Sequence, residues 1–126
     1  MEDNSERIYA LRGAITADSD TPEAIDQAVG EMLKALYEEN GLTEDDICFT
    51  LISMTSDLKS KNAAASARKN GFSTKTPIFC VQEAEINGML PLCVRVLLQV
   101  NHPRRQEPVM VYLKGAAKLR PDLKRK

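Results

Sequence analysis

Two charged residues sit where charge is expensive. Glu83 closes the run Ile78-Phe79-Cys80-Val81-Gln82, and Arg95 lies inside Leu92-Cys93-Val94-Arg95-Val96-Leu97-Leu98. A third, Arg12, falls between Leu11 and Gly13. Placing a full charge in a buried strand costs on the order of several kcal/mol unless it is paired or serves a ligand. An ion pair of Glu83 with Arg95, formed across a hairpin, is the plain structural account. It leaves the second guanidinium unspent. An arginine fork matches a carboxylate or phosphate bidentately, so the set reads as a pocket for a small, oxygen-rich anion. Such a pocket can bind, or it can catalyse a reaction that needs only confinement and charge stabilisation.

Other chemistries have little to stand on. His102 is the single histidine, in a polar loop beside Pro103. A multi-histidine metal site is therefore impossible, and a Ser-His-Asp triad would have to be built on that loop. The sequence contains no GxxxxGK[ST] or GxGxxG phosphate loop. Cys48, Cys80 and Cys93 are far apart without a CxxC and read as small buried hydrophobes in a reducing compartment. No metal and no cofactor are expected. The formal net charge of −1 leaves no footprint for nucleic acid or an anionic membrane. The polar start MEDNSERIYA has no apolar h-region, and no run reaches membrane-spanning length, so a cytoplasmic protein is expected.

The elements that must position these residues are legible. At 126 residues and 43% apolar, the chain suits one domain, with residues 1–6 frayed and 121–126 a mobile tail. Ile8–Thr16 reads as a strand. Thr21-Pro22-Glu23 is a helix start, and Ile25, Val29, Met32, Leu33 and Leu36 carry the helix to Asn40-Gly41. Ile47–Ser53 is a second strand, predicted to pair in parallel with the first through a βαβ crossover. Residues 60–70 predict a short alanine-rich helix, Ile78–Glu83 a third strand, Asn87-Gly88 a turn, Leu92–Val100 a fourth strand and Val109–Leu113 a last one. The fold class expected is α/β (α+β), ordered βαβαβββ, one mixed sheet of about five strands with helices on one face. In the fourth strand Val94, Val96, Leu98 and Val100 share one face, and Cys93, Arg95, Leu97 and Gln99 the other. Two helices cover one face only, so an oligomer is expected to cover the second.

Four segments taken together, LRGAIT (residues 11–16), CVQEAEINGML (80–90), CVRVLLQV (93–100) and VYLKGAAKLRPDL (111–123), resemble the short monofunctional chorismate mutases of the trimeric AroH class. The likeness runs in order from about Ile8 to Leu123. It implies rearrangement of chorismate to prephenate for phenylalanine and tyrosine synthesis, a homotrimer with a barrel-like core, and active sites in clefts between subunits. By resemblance, Arg95 donates to the substrate's ether oxygen and a carboxylate, Arg12 holds a carboxylate, Glu83 accepts from the hydroxyl, and Tyr112 donates its phenol. The backbone of Cys80 contacts the hydroxyl, Ala64 and Phe79 line the pocket, Arg68 comes from the neighbouring subunit, and Leu119 and Arg120 belong to a closing C-terminal segment. Where the family commonly reads F-P-A-K-A-V-R, this chain has Asn62-Ala63-Ala64-Ala65-Ser66-Ala67-Arg68. An aromatic contact and an entrance lysine are missing, unless Lys59 or Lys61 substitutes, so weaker substrate capture is expected. An imine deaminase of RidA type and a non-catalytic anion-binding trimer are the alternatives.

Overall fold

The computed structural model describes residues 7–104 and 106–119. Strand β1 (Ile8–Thr16) buries Leu11, Gly13 and Ile15 toward the helices. Helix α1 (Pro22–Asn40) begins where Thr21 Oγ1 accepts the Ala24 N–H at 3.1 Å, and Pro22 occupies the first turn, where a missing N–H costs nothing. Its stripe of Ile25, Val29, Met32, Leu33 and Leu36 is fully buried. Gly41 ends it in the left-handed conformation (φ 63°) that a residue with a Cβ adopts only at a cost. A single 3-10 turn, Glu44–Asp46, leads into β2 (Ile47–Met54). Helix α2 runs only from Ala63 to Lys69, because Asn62 caps it by accepting the Ala64 N–H at 2.8 Å. It is shorter than the 60–70 span predicted. Strands β3 (Ile78–Gln82), β4 (Cys93–Asn101) and β5 (Val111–Leu113) follow, then a 3-10 segment, Lys114–Lys118. Residues 1–6 and 120–126, the predicted frayed end, the tail and Arg120, lie outside the described residues.

The five strands form one sheet in the order β3-β2-β4-β1-β5. The expected β1–β2 parallel pair does not form. Both strands run the same way, but β4 lies between them, antiparallel to each. The physical reason is that β4 is apolar on both faces, and the centre of a sheet is where such a strand loses most contact with water. The chain's parallel pairs are instead β2–β3 and β1–β5. Nor do β3 and β4 make a hairpin around Asn87-Gly88. That turn exists, with Gly88 at φ 82° and Met89 N–H donating to Ile86 O, yet the connection steps over β2. Both helices pack on one face, as predicted, where β4 contributes Val94, Val96, Leu98 and Val100.

Helix α2 is fixed to α1 largely through one carboxylate. Asp26 accepts from Ser66 Oγ at 2.7 Å, Lys61 Nζ at 2.7 Å and Lys69 Nζ at 3.0 Å, while Asn70 Nδ2 donates to the Asp26 carbonyl at 3.0 Å. Burial favours the neutral acid, but the bonds from Lys61, Ser66 and Lys69 prevail and hold the carboxyl well below the usual aspartate range. Asp26→Asn is expected to lower the unfolding free energy by about 1–2 kcal/mol at neutral pH. A carboxyl depressed in the folded state contributes fully above its unfolded value, ~4, and loses that contribution as pH falls toward the lower folded value. Denaturant midpoints of wild type and variant should therefore converge on acidification. A gap that stays constant would show that the ion pairs contribute nothing.

Candidate active site

The open face of the sheet carries the site. Strand register places Val81, Ser53, Arg95, Ala14 and Tyr112 in one row across all five strands, and Phe79, Leu51, Leu97 and Arg12 in the next. Glu83 lies one residue past β3, and its N–H donates to Met54 O at 2.8 Å, prolonging the ladder with β2. The end of β3 and the start of β4 are thus brought to the same end of the sheet with β2 between them. The side chains span that gap. Arg95 Nε donates to Glu83 Oε2 at 2.8 Å and Nη2 to Oε1 at 2.7 Å, a bidentate pair. Ser53, on the intervening strand, donates its hydroxyl to Glu83 Oε2 at 2.5 Å.

The electrostatics follow from that triangle. The Arg95 bonds hold the Glu83 carboxyl below its ordinary range; burial opposes them and the Ser53 hydroxyl assists. Glu83 in turn raises the guanidinium value of Arg95, so both groups are charged at neutral pH. Arg95 keeps 42% of its side chain exposed against 19% for Glu83, which leaves donors of the guanidinium available to a ligand. Arg12, Glu83, Arg95 and Tyr112 line a single open cleft of about 350 Å³. Among the described residues Arg12 makes no ion pair. The hydroxyl of Tyr112, a residue only 7% exposed, is buried without a hydrogen-bond partner. A buried phenol that lacks a partner is a donor left for something that enters.

A smaller cavity of about 120 Å³ lies on the other side of the pair, against Thr55, Met89, Leu90, Cys93 and Leu119. Burial pushes the Cys93 thiol up to about 11, which makes it a poor nucleophile. Among the described residues, no three of His, Cys, Asp and Glu come together in a group able to hold a metal ion.

Four of the predicted residues therefore meet in one place, and Leu119 adjoins them. Of the other described residues, Arg68, Ala64, Phe79 and Cys80 do not line the cleft within one chain. Arg68 is exposed at the end of α2, and Ala64 lies on the buried face of the same helix. Phe79 projects from the open face, 75% exposed, and the Cys80 side chain points to the opposite face, against the helix-side core. Lys61 does not stand in for the missing entrance lysine, because Asp26 holds it. Asn62 has become a helix cap. Ser53 was missed altogether: alternation in β2 sets it on the open face, but only the strand order shows that this means beside Arg95.

A mixed sheet with helices on one face, and on the other a cleft whose described lining carries two guanidiniums, two hydroxyls and one carboxylate without histidine or cysteine, defines a small α+β domain whose open face suits an anion. Comparison with known proteins identifies the family. The family profile described as chorismate mutase type I matches residues 8–123. A chorismate mutase AroH of Thermus thermophilus is 39% identical over 118 residues, covering 92% of this chain and 96% of that protein. The AroH of Bacillus subtilis is 35% identical over 117 residues, covering 92% of each. A solved chorismate mutase from Clostridium thermocellum superposes with a TM-score of 0.82 at 36% identity, covering 87% of this chain and 98% of that one. The chain belongs to the type I chorismate mutases. It is an isomerase of aromatic amino-acid biosynthesis, and of the readings left open by the sequence the mutase is selected.

The Ser53 bond to Glu83 generates a prediction. Ser53→Ala should move the Glu83 carboxyl upward, still short of the ordinary range because Arg95 remains, as read by a carbon-detected NMR titration. Turnover should fall about twofold to tenfold, the equivalent of one hydrogen bond. An unmoved titration would show that Arg95 alone orients Glu83.

Proposed function

We propose that the cleft between Arg12, Glu83, Arg95 and Tyr112 rearranges chorismate to prephenate by confinement and electrostatic stabilisation, without covalent catalysis. The carrying observation is the bidentate Glu83–Arg95 pair flanked by a guanidinium and a phenol that have no ion-pair or hydrogen-bond partner among the described residues. Chorismate carries two carboxylates, a hydroxyl and an ether oxygen. Its pericyclic rearrangement breaks the C–O bond as a C–C bond forms, and negative charge builds on the ether oxygen. Arg95 donates there and to a carboxylate. A fixed cation at that point stabilises the transition state more than the ground state, which is what raises the rate. Arg12 holds a carboxylate, Tyr112 donates its free hydroxyl to a carboxylate, and Glu83 accepts from the substrate hydroxyl while keeping Arg95 aimed.

The site is completed by a neighbouring copy in a homotrimer. Two observations support this. Arg68, Ala64, Phe79 and the Cys80 backbone lie outside the single-chain cleft, and the open face presents Phe49, Leu51, Phe79 and Val81 as a continuous apolar surface. Phe49, Leu51, Pro77 and Phe79 also line an apolar hollow of about 250 Å³. Packing three such faces inward hides that surface and carries the edge strand of one subunit toward the cleft of the next.

Arg95→Ala should lower kcat/KM by about 10³-fold or more, in line with loss of a main transition-state donor, followed as loss of chorismate absorbance. Retained turnover would remove Arg95 from the mechanism. The shared site has its own test. Arg95→Ala and Arg68→Ala subunits, each weak alone, are unfolded together and refolded at equal ratio. Intact sites should then reappear at about a quarter of the wild-type number, the statistical share for a trimer in which each site draws on two subunits. No recovery would show that a site does not draw Arg68 and Arg95 from two different subunits.

A further inference from the structure

The start of β4 holds a strained residue, and a carboxylate outside the cleft holds that residue in place. Leu92 has φ 53°, in the left-handed region that a branched side chain rarely adopts. Its N–H donates to both oxygens of Asp57, at 3.2 Å to Oδ1 and 3.0 Å to Oδ2. The same carboxylate accepts the Thr55 hydroxyl at 2.5 Å. Thr55 Oγ1 then accepts the Cys93 N–H at 3.0 Å, while the Thr55 N–H donates to Cys93 O at 3.0 Å. On its far side the Leu92 carbonyl accepts from Ala17 N–H at 2.8 Å.

This clamp grips the backbone two and three residues before Arg95. One residue earlier, at Met54, the exit of β2 also holds the backbone of Glu83. The separation of Glu83 from Arg95 is therefore set at Met54–Asp57, where both chain segments are tied. Backbone strain that persists is over-determined by its surroundings, and it collects beside functional sites. We propose that Asp57 is a positioning residue: by holding Leu92 in the left-handed turn it fixes the entry of β4 and thereby the aim of the Arg95 guanidinium. The role rests on the reading that Arg95 stabilises the transition state. Without the carboxylate, Leu92 relaxes to negative φ, the Cys93 pairing with Thr55 shifts, and Arg95 moves against Glu83 and the substrate. A displacement of about 1 Å at a reacting contact is worth roughly a hundredfold in rate.

The test uses the intact protein and four forms: wild type, Asp57→Ala, Leu92→Gly and the double variant. Kinetic constants are taken on the folded fraction, measured by circular dichroism in the same sample. Asp57→Ala is expected to lose about tenfold to a hundredfold in kcat with KM within about threefold, the pattern of a misplaced transition-state contact. Leu92→Gly should stay near wild type, because glycine takes the left-handed turn freely. The double variant should recover most of the lost kcat, since the turn no longer needs the carboxylate. Wild-type kcat in folded Asp57→Ala overturns the proposal, and so does a double variant no faster than Asp57→Ala. If Asp57→Ala does not fold, Asp57→Asn, which keeps one acceptor, replaces it with the same rescue criterion. Arg95→Ala is run alongside. If it turns over normally, the mechanism itself is wrong; if it is silent while Asp57→Ala is fast, the positioning role alone fails.

Discussion

The pair between Glu83 and Arg95 joins two segments that are not neighbours in the sheet. Strand β2 separates them, so no backbone hydrogen bond joins them directly and their distance is set indirectly. It is fixed by ties to β2 itself: Met54 to Glu83, Ser53 to the Glu83 carboxylate, and Thr55 to Cys93. A charge pair in a partly buried place is stable only if its remaining lone pairs and protons are met. Here the carboxylate meets Arg95 twice and Ser53 once. The guanidinium spends two of its five N–H groups on Glu83 and keeps the others for the cleft. The pair is thus a rigid mount for a cation that stays usable.

The two faces of the sheet divide the labour. On the helix side, Leu11, Ile15, Ile52, Val94, Leu98 and Val100 are closed over by α1 and α2, and apolar burial there holds the strands in register. On the open side the same strands display Arg12, Ser53, Arg95 and Tyr112 at fixed spacings. A one-residue slip would exchange the two sets, so the core that stabilises the fold also sets the aim of the site. The apolar residues left on the open face, Phe49, Leu51, Phe79 and Val81, run from the cleft wall toward the β2–β3 edge. One surface thus carries both the charged cleft and an apolar flank.

How much of this was legible in the sequence depended on whether the signal was local. Strand β1 matched its predicted bounds, and α1 was announced at both ends by Thr21-Pro22 and Asn40-Gly41. Arg12, Glu83 and Arg95 were legible because charge inside an apolar run is a local anomaly, whereas Tyr112 was named only through the resemblance. Strand order was not. Nothing in residues 8–54 states that a strand arriving forty residues later will part β1 from β2, since a crossover rule fixes handedness and direction but not insertion. The Asn87-Gly88 turn was real, yet its neighbours did not pair, because Leu51↔Phe79 and Ser53↔Val81 pairing gives β3 a better partner in β2. Ser53 and Asp57 stayed hidden for the same reason. Each looks like an ordinary polar residue until the sheet sets it beside Glu83 or Leu92. The extent of α2 was misjudged because Asn62 reads as a departure from the family's aromatic and only the structure shows it capping a helix.

The substitution at that cap has a consequence for how the substrate is met. With Ala at position 65 and Lys61 committed to Asp26, positive charge near α2 is carried by Arg68, with Lys69 also shared with Asp26. Rim charges act chiefly on encounter and on uniform binding, whereas a buried, oriented donor acts on the barrier. Arg95 and its supports are intact here and the rim is thinned. Under the proposed mechanism the chemistry of the cleft is preserved while capture relies on Arg12 and Arg68, which loads the cost of the missing lysine onto KM and leaves kcat to the Glu83–Arg95 mount.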